Sequence, residues 1–375
     1  MTKIFYKKIL SILTIVLGVL LLNSCQKEFS ITAIPDDESH GTVSGGGVYK
    51  EGTVIEIWAV PATGYRFERW DDGYTDNPRT ITVTGNATYI AIFSGGVFTD
   101  AFSVSATRTV YFSPGNLQWS ATNGGSSPTY HPVAGGYGSA PGTWRFAPNQ
   151  WDIIGIENRY IDSAYTGWID LFGWGTSGYD NKWPYMTATH PTGGYGYGNN
   201  DIAGTYYDWG VYNSIYNPQT NTIDGPGWRT MTSDEWEYLL NTRLTASGIR
   251  YAKAIVHGVN GLIIVPDNWK SDVYSFNKTN NYGADYTSNT VSTADWEQIA
   301  SDGCIFLPAG GFRNQTTVSE AGSEGGYWSA SYEYDERTGE ADEARILHFD
   351  AGNLYSDYIG WRSLGYSVRL VKDAE

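Results

Sequence analysis

Histidine, cysteine and paired carboxylates build most active sites, and their placement in this chain points away from catalysis. The five histidines, His40, His131, His190, His257 and His348, are scattered, with no paired spacing that would hold a metal. With only two cysteines, Cys25 and Cys304, neither a disulfide framework nor a four-thiolate zinc site is available. Cys304 lies in Gly303-Cys304-Ile305-Phe306-Leu307, an apolar run that reads as a buried strand, where a thiol acts as a small hydrophobe. There is no Gly-x-Ser-x-Gly elbow and no Walker loop. Carboxylates are plentiful, but no two sit in a context that marks a glycosidase pair. Asp71, Asp72 and Asp76 lie close together without the alternation and closing glutamate of an EF-hand, and Asx turns explain them better. No catalytic residue, no cofactor and no metal is expected.

Binding by rings is the chemistry that remains. The chain carries 29 Tyr and 15 Trp beside 45 Gly, a mixture suited to strands, tight turns and rigid ring-lined surfaces. Tyr332-Glu333-Tyr334-Asp335-Glu336-Arg337 and the stretch 353–363 read as loops between frame strands. In Arg345-Ile346-Leu347-His348-Phe349-Asp350, alternation puts Leu347 and Phe349 inward and leaves Ile346, His348 and Asp350 on the other face. The candidate ligand contacts are Tyr332, Tyr334, Asp335, His348, Asp350, Tyr355, Asp357, Tyr358, Trp361 and Arg362. Tyr, Trp, Arg, Asp and Ser on strand-flanking loops give large contact area at low entropic cost together with adaptable hydrogen bonds. The bland alternative, that these rings only cover the flank of a chain aromatic throughout, stays open.

The elements that would position them fall into an α+β arrangement. Residues 29–95 alternate β-branched segments with Gly45-Gly46-Gly47 and Thr84-Gly85-Asn86 breaks and read as a small all-β module. Gly95-Gly96 is the expected joint to one larger domain over 97–372. Two helices are expected there, with long loops rich in Gly and aromatics around Trp174 and Tyr195. One helix opens at Thr232 with acids in its first turn and Trp236, Leu239 and Leu240 on one stripe. The other covers 292–300, with Trp296 and Ile299 inward. Segments 262–265, 305–307, 345–349 and 367–371 are expected to form a central sheet. Arg229 is expected to tie a loop to a helix carboxylate, and Trp228, Trp236, Trp328, Ser329 and Arg369 to serve the frame.

Charge and the amino terminus bear on location. The formal net charge is −16, which argues against nucleic-acid partners and polybasic membrane contact. Lys3, Lys7 and Lys8 precede an apolar run over 9–22, too short for a comfortable span and typical of a secretory signal. The run ends in Leu22-Asn23-Ser24-Cys25, which resembles a bacterial lipobox. That resemblance implies removal of residues 1–24, acylation of Cys25 and a tether over 25–28. Gln26-Lys27-Glu28 partly resembles the export tag of surface lipoproteins of the Bacteroidetes group, which implies an outer-membrane anchor facing the cell exterior.

Further resemblances cover the body of the chain. Gly41-Thr42-Val43-Ser44-Gly45-Gly46-Gly47, Tyr49, Gly52, Gly64-Tyr65-Arg66-Phe67, Trp70 and Ala91-Ile92-Phe93 resemble the internalin-type bacterial β repeat, which implies a spacer. Gly227-Trp228-Arg229-Thr230, Phe306-Leu307-Pro308-Ala309-Gly310-Gly311-Phe312-Arg313, Gly326-Tyr327-Trp328-Ser329 and Ser367-Val368-Arg369-Leu370-Val371 resemble the Fibrobacter major paralogous domain. They resemble more distantly the formylglycine-generating branch of the C-type-lectin-like fold. The enzymes of that branch use a pair of cysteines near the carboxy end, and here only Cys304 would remain, so the activity is not carried over. The variable proteins of diversity-generating retroelements are similar in fold and vary in the same final stretch. The resemblance implies a domain that binds a protein or glycan at the cell surface. The alternatives are a structural subunit of a surface assembly and an enzyme acting on polysaccharide.

Overall fold

The computed structural model describes residues 27–61, 65–95, 101–120, 142–155, 165, 167–179, 184, 200–224, 226–270, 272–335 and 340–374. The chain divides into two compact units, Met1–Gly96 and Val97–Glu375. In the first, β1 (Glu28–Pro35), β3 (Gly47–Lys50), β5 (Tyr65–Trp70) and β7 (Ala87–Gly95) form a sheet in the order β3-β1-β7-β5. A second sheet runs β2 (Gly41–Ser44), β4 (Val54–Pro61), β6 (Arg79–Thr82). Alternation along β4 sends Ile57 and Ala59 inward, where they meet Ile81 of the same sheet and Trp70, Ala91 and Phe93 of the other. Trp70 is fully buried, and its indole Nε1–H donates to the Asp76 carbonyl at 3.0 Å. Asp72 takes a bidentate pair from Arg79 at 2.7 and 2.6 Å, and Asp71 accepts from the Ile90 N–H.

The expectation of an α+β class with two helices is overturned. Among the described residues the chain is largely all-β, built from seven small sheets of three or four strands, two of which are β10 (Leu117–Ser120), β11 (Thr143–Phe146), β12 (Ile215–Asn217), β13 (Thr222–Asp224) and β19 (Thr317–Ser319), β18 (Phe312–Asn314), β23 (Leu364–Gly365). Helical geometry is confined to short segments. The α-turn α1 (Ser233–Glu237) runs directly into a π-turn over Tyr238–Thr242, and α2 spans Thr293–Ser301. Thr232 caps α1 with a reciprocal box: Glu235 N–H to Thr232 Oγ1 at 3.2 Å, and Thr232 N–H to Glu235 Oε2 at 3.0 Å. The helical path ends where the Arg243 side chain turns back to donate from Nε to the Leu239 carbonyl at 2.7 Å. α2 stops before Gly303, whose φ of 84° lies in the left-handed region.

The expected central sheet is also replaced. Residues 262–264 lie in β15 (Val259–Ile264) and 305–307 in β17 (Ile305–Pro308), in the sheet β16-β14-β15-β17 with β14 (Tyr251–Val256) and β16 (Thr290–Val291). Residues 345–349 belong to another sheet, β20 (Gly325–Asp335), β21 (Glu340–Phe349), β22 (Leu354–Trp361). Val371 opens β24 (Val371–Asp373), which pairs with β9 (Thr109–Phe112), itself paired with β8 (Phe102–Ser103). Three hydrophobic clusters fill this unit, so no single sheet can be its centre.

The β20–β21 pair is buried on both faces. Tyr327, Leu347 and Phe349 face one cluster, with Trp236, Leu239 and Leu240 from the helical segment. Trp328, Ala330, Ala344 and Ile346 face the other, with Trp174 and Tyr366. Ile346 is therefore core and not the outward residue that simple alternation predicts.

Candidate functional site

The segments 332–335 and 354–361, expected as loops, are strands of the β20–β21–β22 sheet. Their Gly, Ser and Asp residues imitate a loop, yet Ser356 and Gly360 are buried against the body while their neighbours point out. β22 is an edge strand, paired with β21 alone in its sheet.

One irregularity shapes the surface. His348 pairs with Tyr355 and Ile346 with Tyr358, so β22 spends three residues where β21 spends two. In a regular strand positions i and i+3 face opposite sides; the bulge puts Tyr355 and Tyr358 on one side, next to His348. The ring centroids are 5.0 Å apart for His348–Tyr358, 5.5 Å for Tyr355–Tyr358 and 6.3 Å for His348–Tyr355. Tyr355 and Tyr358 remain 45% and 48% exposed. The Glu324 carboxylate lies 3.5 Å from His348 Nε2.

The opposite side of the sheet carries a second group. Glu333, Glu343 and Trp361 pair directly across the three strands, and the next row pairs Arg345 with Ile359. Arg345 Nε donates to Glu333 Oε2 at 2.6 Å, while its Nη1 donates to the Asp357 carbonyl at 2.9 Å and stands 3.5 Å from the Asp357 carboxylate. Trp361 is 55% and Ile359 41% exposed. The candidate surface thus divides into an aromatic patch and an acidic patch on the two faces of one edge.

Two candidate residues are structural. Arg362 is buried, donates from Nε to the Glu343 carbonyl at 2.8 Å and lies 4.4 Å over the Trp174 ring. Burial pushes its guanidinium down to about 10, with Asp342 acting the other way. Asp350 shapes the β21–β22 turn by accepting from the Gly352 and Asn353 N–H groups and the Asn353 amide. Burial raises its carboxyl, but these donors outweigh it and hold the group below its ordinary range. Beneath the turn, the fully buried Lys253 donates to the carbonyls of Tyr282, Asp350 and Asn353 at 2.7, 2.7 and 2.8 Å.

The other candidates are dispersed. Tyr332 is half-buried against the core, with its N–H donated to Asp201. Tyr334 is 40% exposed near the far end of β20, and Asp335 pairs with Glu340 in the ladder. Asp357 is exposed at the bulge. Cys25 and Tyr195 lie outside the described residues, and Trp174 is core. Sequence reading passed over Glu324, which stands 24 positions from His348 and has no spacing signal. It also passed over Glu333, Glu343, Arg345 and Ile359, which hairpin alternation would have placed on one face. Frame residues lie in the body: Arg229 pairs with Glu235 at 2.7 Å, and Trp228, Trp236, Trp328, Ser329 and Arg369 are buried. Among the described residues no group of three or more His, Cys, Asp or Glu could hold a metal, and no helix is long and apolar enough to cross a membrane.

The smaller unit has a known counterpart. Residues 31–96 match a divergent InlB B-repeat domain. The B-repeat match takes in all but the first three residues of β1 and the whole of strands β2 to β7, including Trp70 and the core around it. It covers a minor part of the 375-residue chain. No curated protein and no solved structure matches the chain.

Proposed function

We propose that this chain is a lipoprotein of the outer membrane, anchored through Cys25 and exposed at the cell surface, in which the B-repeat module acts as a spacer. Its larger unit binds a protein or glycan ligand through the edge of the β20–β21–β22 sheet. The observation that carries this reading is the bulge of β22, which places Tyr355 and Tyr358 side by side while leaving both about half exposed. The tryptophans of this unit mostly go inward: Trp119, Trp144, Trp174, Trp209, Trp228, Trp236 and Trp328 are all core. A strand that turns Tyr355, Tyr358, Ile359 and Trp361 outward departs from that economy, and rigid aromatic side chains on a preformed frame are effective contact groups. The resemblance of the larger unit to the Fibrobacter major paralogous domain and the lipobox pattern at Cys25 support the placement at the envelope.

A glycan- and protein-array screen of the chain, run beside a Tyr355→Ala/Tyr358→Ala/Trp361→Ala variant, tests the reading. A ligand bound by the parent and lost by the variant is the expected result. If the variant keeps every ligand while remaining folded by circular dichroism, binding does not run through this edge.

A further inference from the structure

The aromatic side of the same edge carries polar groups as well as rings. His348, Tyr355 and Tyr358 stand with their planes 28–32° apart and their centroids in a triangle of 5.0, 5.5 and 6.3 Å. Rings so nearly parallel make a shallow platform, not the steep-walled cage that encloses a quaternary ammonium ion. Beside the platform lies the Glu324 carboxylate, one-third exposed, with His348 Nε2 at the loose distance of 3.5 Å. A carboxylate has about four acceptor sites and no donor, so this one contact leaves most of its capacity unspent. His348 Nδ1 is buried without a partner, and a proton on Nε2, aimed at Glu324, is the tautomer that orphans no N–H. The Tyr366 ring packs on this side of the sheet against Gly326 and Gly360, where a Cβ would run into it. Burial pushes its phenol up, and Glu324 and Tyr358 add to the shift, so these groups share one neighbourhood.

We propose that this patch binds a neutral glycan, with one pyranose stacked on the Tyr355 and Tyr358 rings and a pair of its adjacent hydroxyls donating to Glu324. Hydrogen-bond and charge complementarity commit the site to that occupant. A pyranose carries apolar C–H groups on its face and hydroxyl donors at its rim, which match the rings and the carboxylate in turn. A proline-rich segment suits near-parallel rings, but its prolines offer carbonyl acceptors and no donor where Glu324 takes only donors. A cationic side chain would compete with the His348 imidazole for the same carboxylate. An anionic glycan is repelled by Glu324 and by the net charge of −16. His348 acts as a positioning residue that holds the carboxylate at the edge of the platform. The inference rests on the binding role proposed above and narrows it to one ligand class on one side of the edge.

The test is affinity electrophoresis of the full chain through gels holding galactomannan, xyloglucan or mixed-linkage β-glucan, with polygalacturonate as the anionic counterpart. At least one neutral polysaccharide should retard the chain, and polygalacturonate should not. Added salt up to about 0.15 M should leave the retention unchanged, because the ligand carries no charge. Tyr355→Ala/Tyr358→Ala should weaken retention by about tenfold or more. Glu324→Gln, which keeps the shape and gives up the charge-assisted acceptor, should weaken it by about fivefold. Tyr74→Ala, at an exposed ring of the smaller unit, should leave it unchanged. Retention by none of the neutral polysaccharides overturns the proposal, as does equal retention by polygalacturonate. So does retention that ignores both site variants while each remains folded by circular dichroism. The array separates the two readings: a protein ligand lost in the triple variant keeps the binding role and removes the glycan, whereas no edge-dependent ligand removes both.

Discussion

Replacing Lys253 by methionine should loosen the turn that presents Tyr355. The ammonium is buried, and all three of its donors go to backbone carbonyls, two of them in the β21–β22 turn. Hydrogen bonds to a charged group contribute about 1.5–3 kcal/mol each, so the gross loss is roughly 4–9 kcal/mol. Against this stands the desolvation of the ammonium, which burial pushes down to about 8 from 10.5 while Asp350 and Asp285 act the other way. At about 1.36 kcal/mol per pKa unit, relief of that penalty returns roughly 3 kcal/mol. Methionine keeps most of the stem volume, so the cavity contribution is small. The expected net destabilisation is about 1–6 kcal/mol, read as a shift of the larger unit's urea transition at neutral pH. Hydrogen exchange should show protection lost first around Tyr282 and residues 350–353. The sign of the pH dependence follows from the same shift. With the folded pKa below the unfolded one, the parent gains stability as pH rises from about 8 to 10.5, and the methionine variant lacks that rise. A loss under about 1 kcal/mol, or protection lost evenly across the unit, would refute the assignment of Lys253 as the pin of this turn.

Two further outcomes are expected. Arg229→Met leaves the Glu235 carboxylate, 7% exposed, with Arg108 at 3.1 Å as its remaining cation, and should cost about 3–5 kcal/mol in chemical denaturation. Burial pushes Asp208 up to about 7 despite the Thr230 and Gly210 donors, so its folded pKa lies above the unfolded value of 3.8. That contribution is fully present below pH 3.8 and is lost as pH rises through about 7; thermal melting across this window should fall in the parent and run flatter in Asp208→Asn.

What the sequence made legible was local. The hydroxyl cap at Thr232, the Trp236–Leu239–Leu240 stripe and the inward Trp296 and Ile299 appear in the structure where the residues place them. The class was not legible, because cap and stripe mark where a helix begins and give no measure of its length; α1 turns into a π-turn after five residues. Ile346 was misplaced because alternation assumes one wet face, and this sheet has a core on each side. Arg362 looked like a contact residue by type, and only the tertiary position of Trp174 shows it to be internal. The bulge left no trace at all: one extra residue in β22 reverses the sense of Tyr355 relative to Tyr358, and nothing in Leu354-Tyr355-Ser356-Asp357-Tyr358 announces it.

Val110 has a cross-strand neighbour on either side, Phe102 of β8 and Asp373 of β24. With strands about 4.8 Å apart, the chain enters and leaves the larger unit roughly 10 Å from the same point. A tension applied between those two ends would run through this small three-stranded ribbon and bypass the body that holds Tyr355 and Trp361. A unit whose ends meet so closely can be spliced into a loop of another protein with little distortion of either.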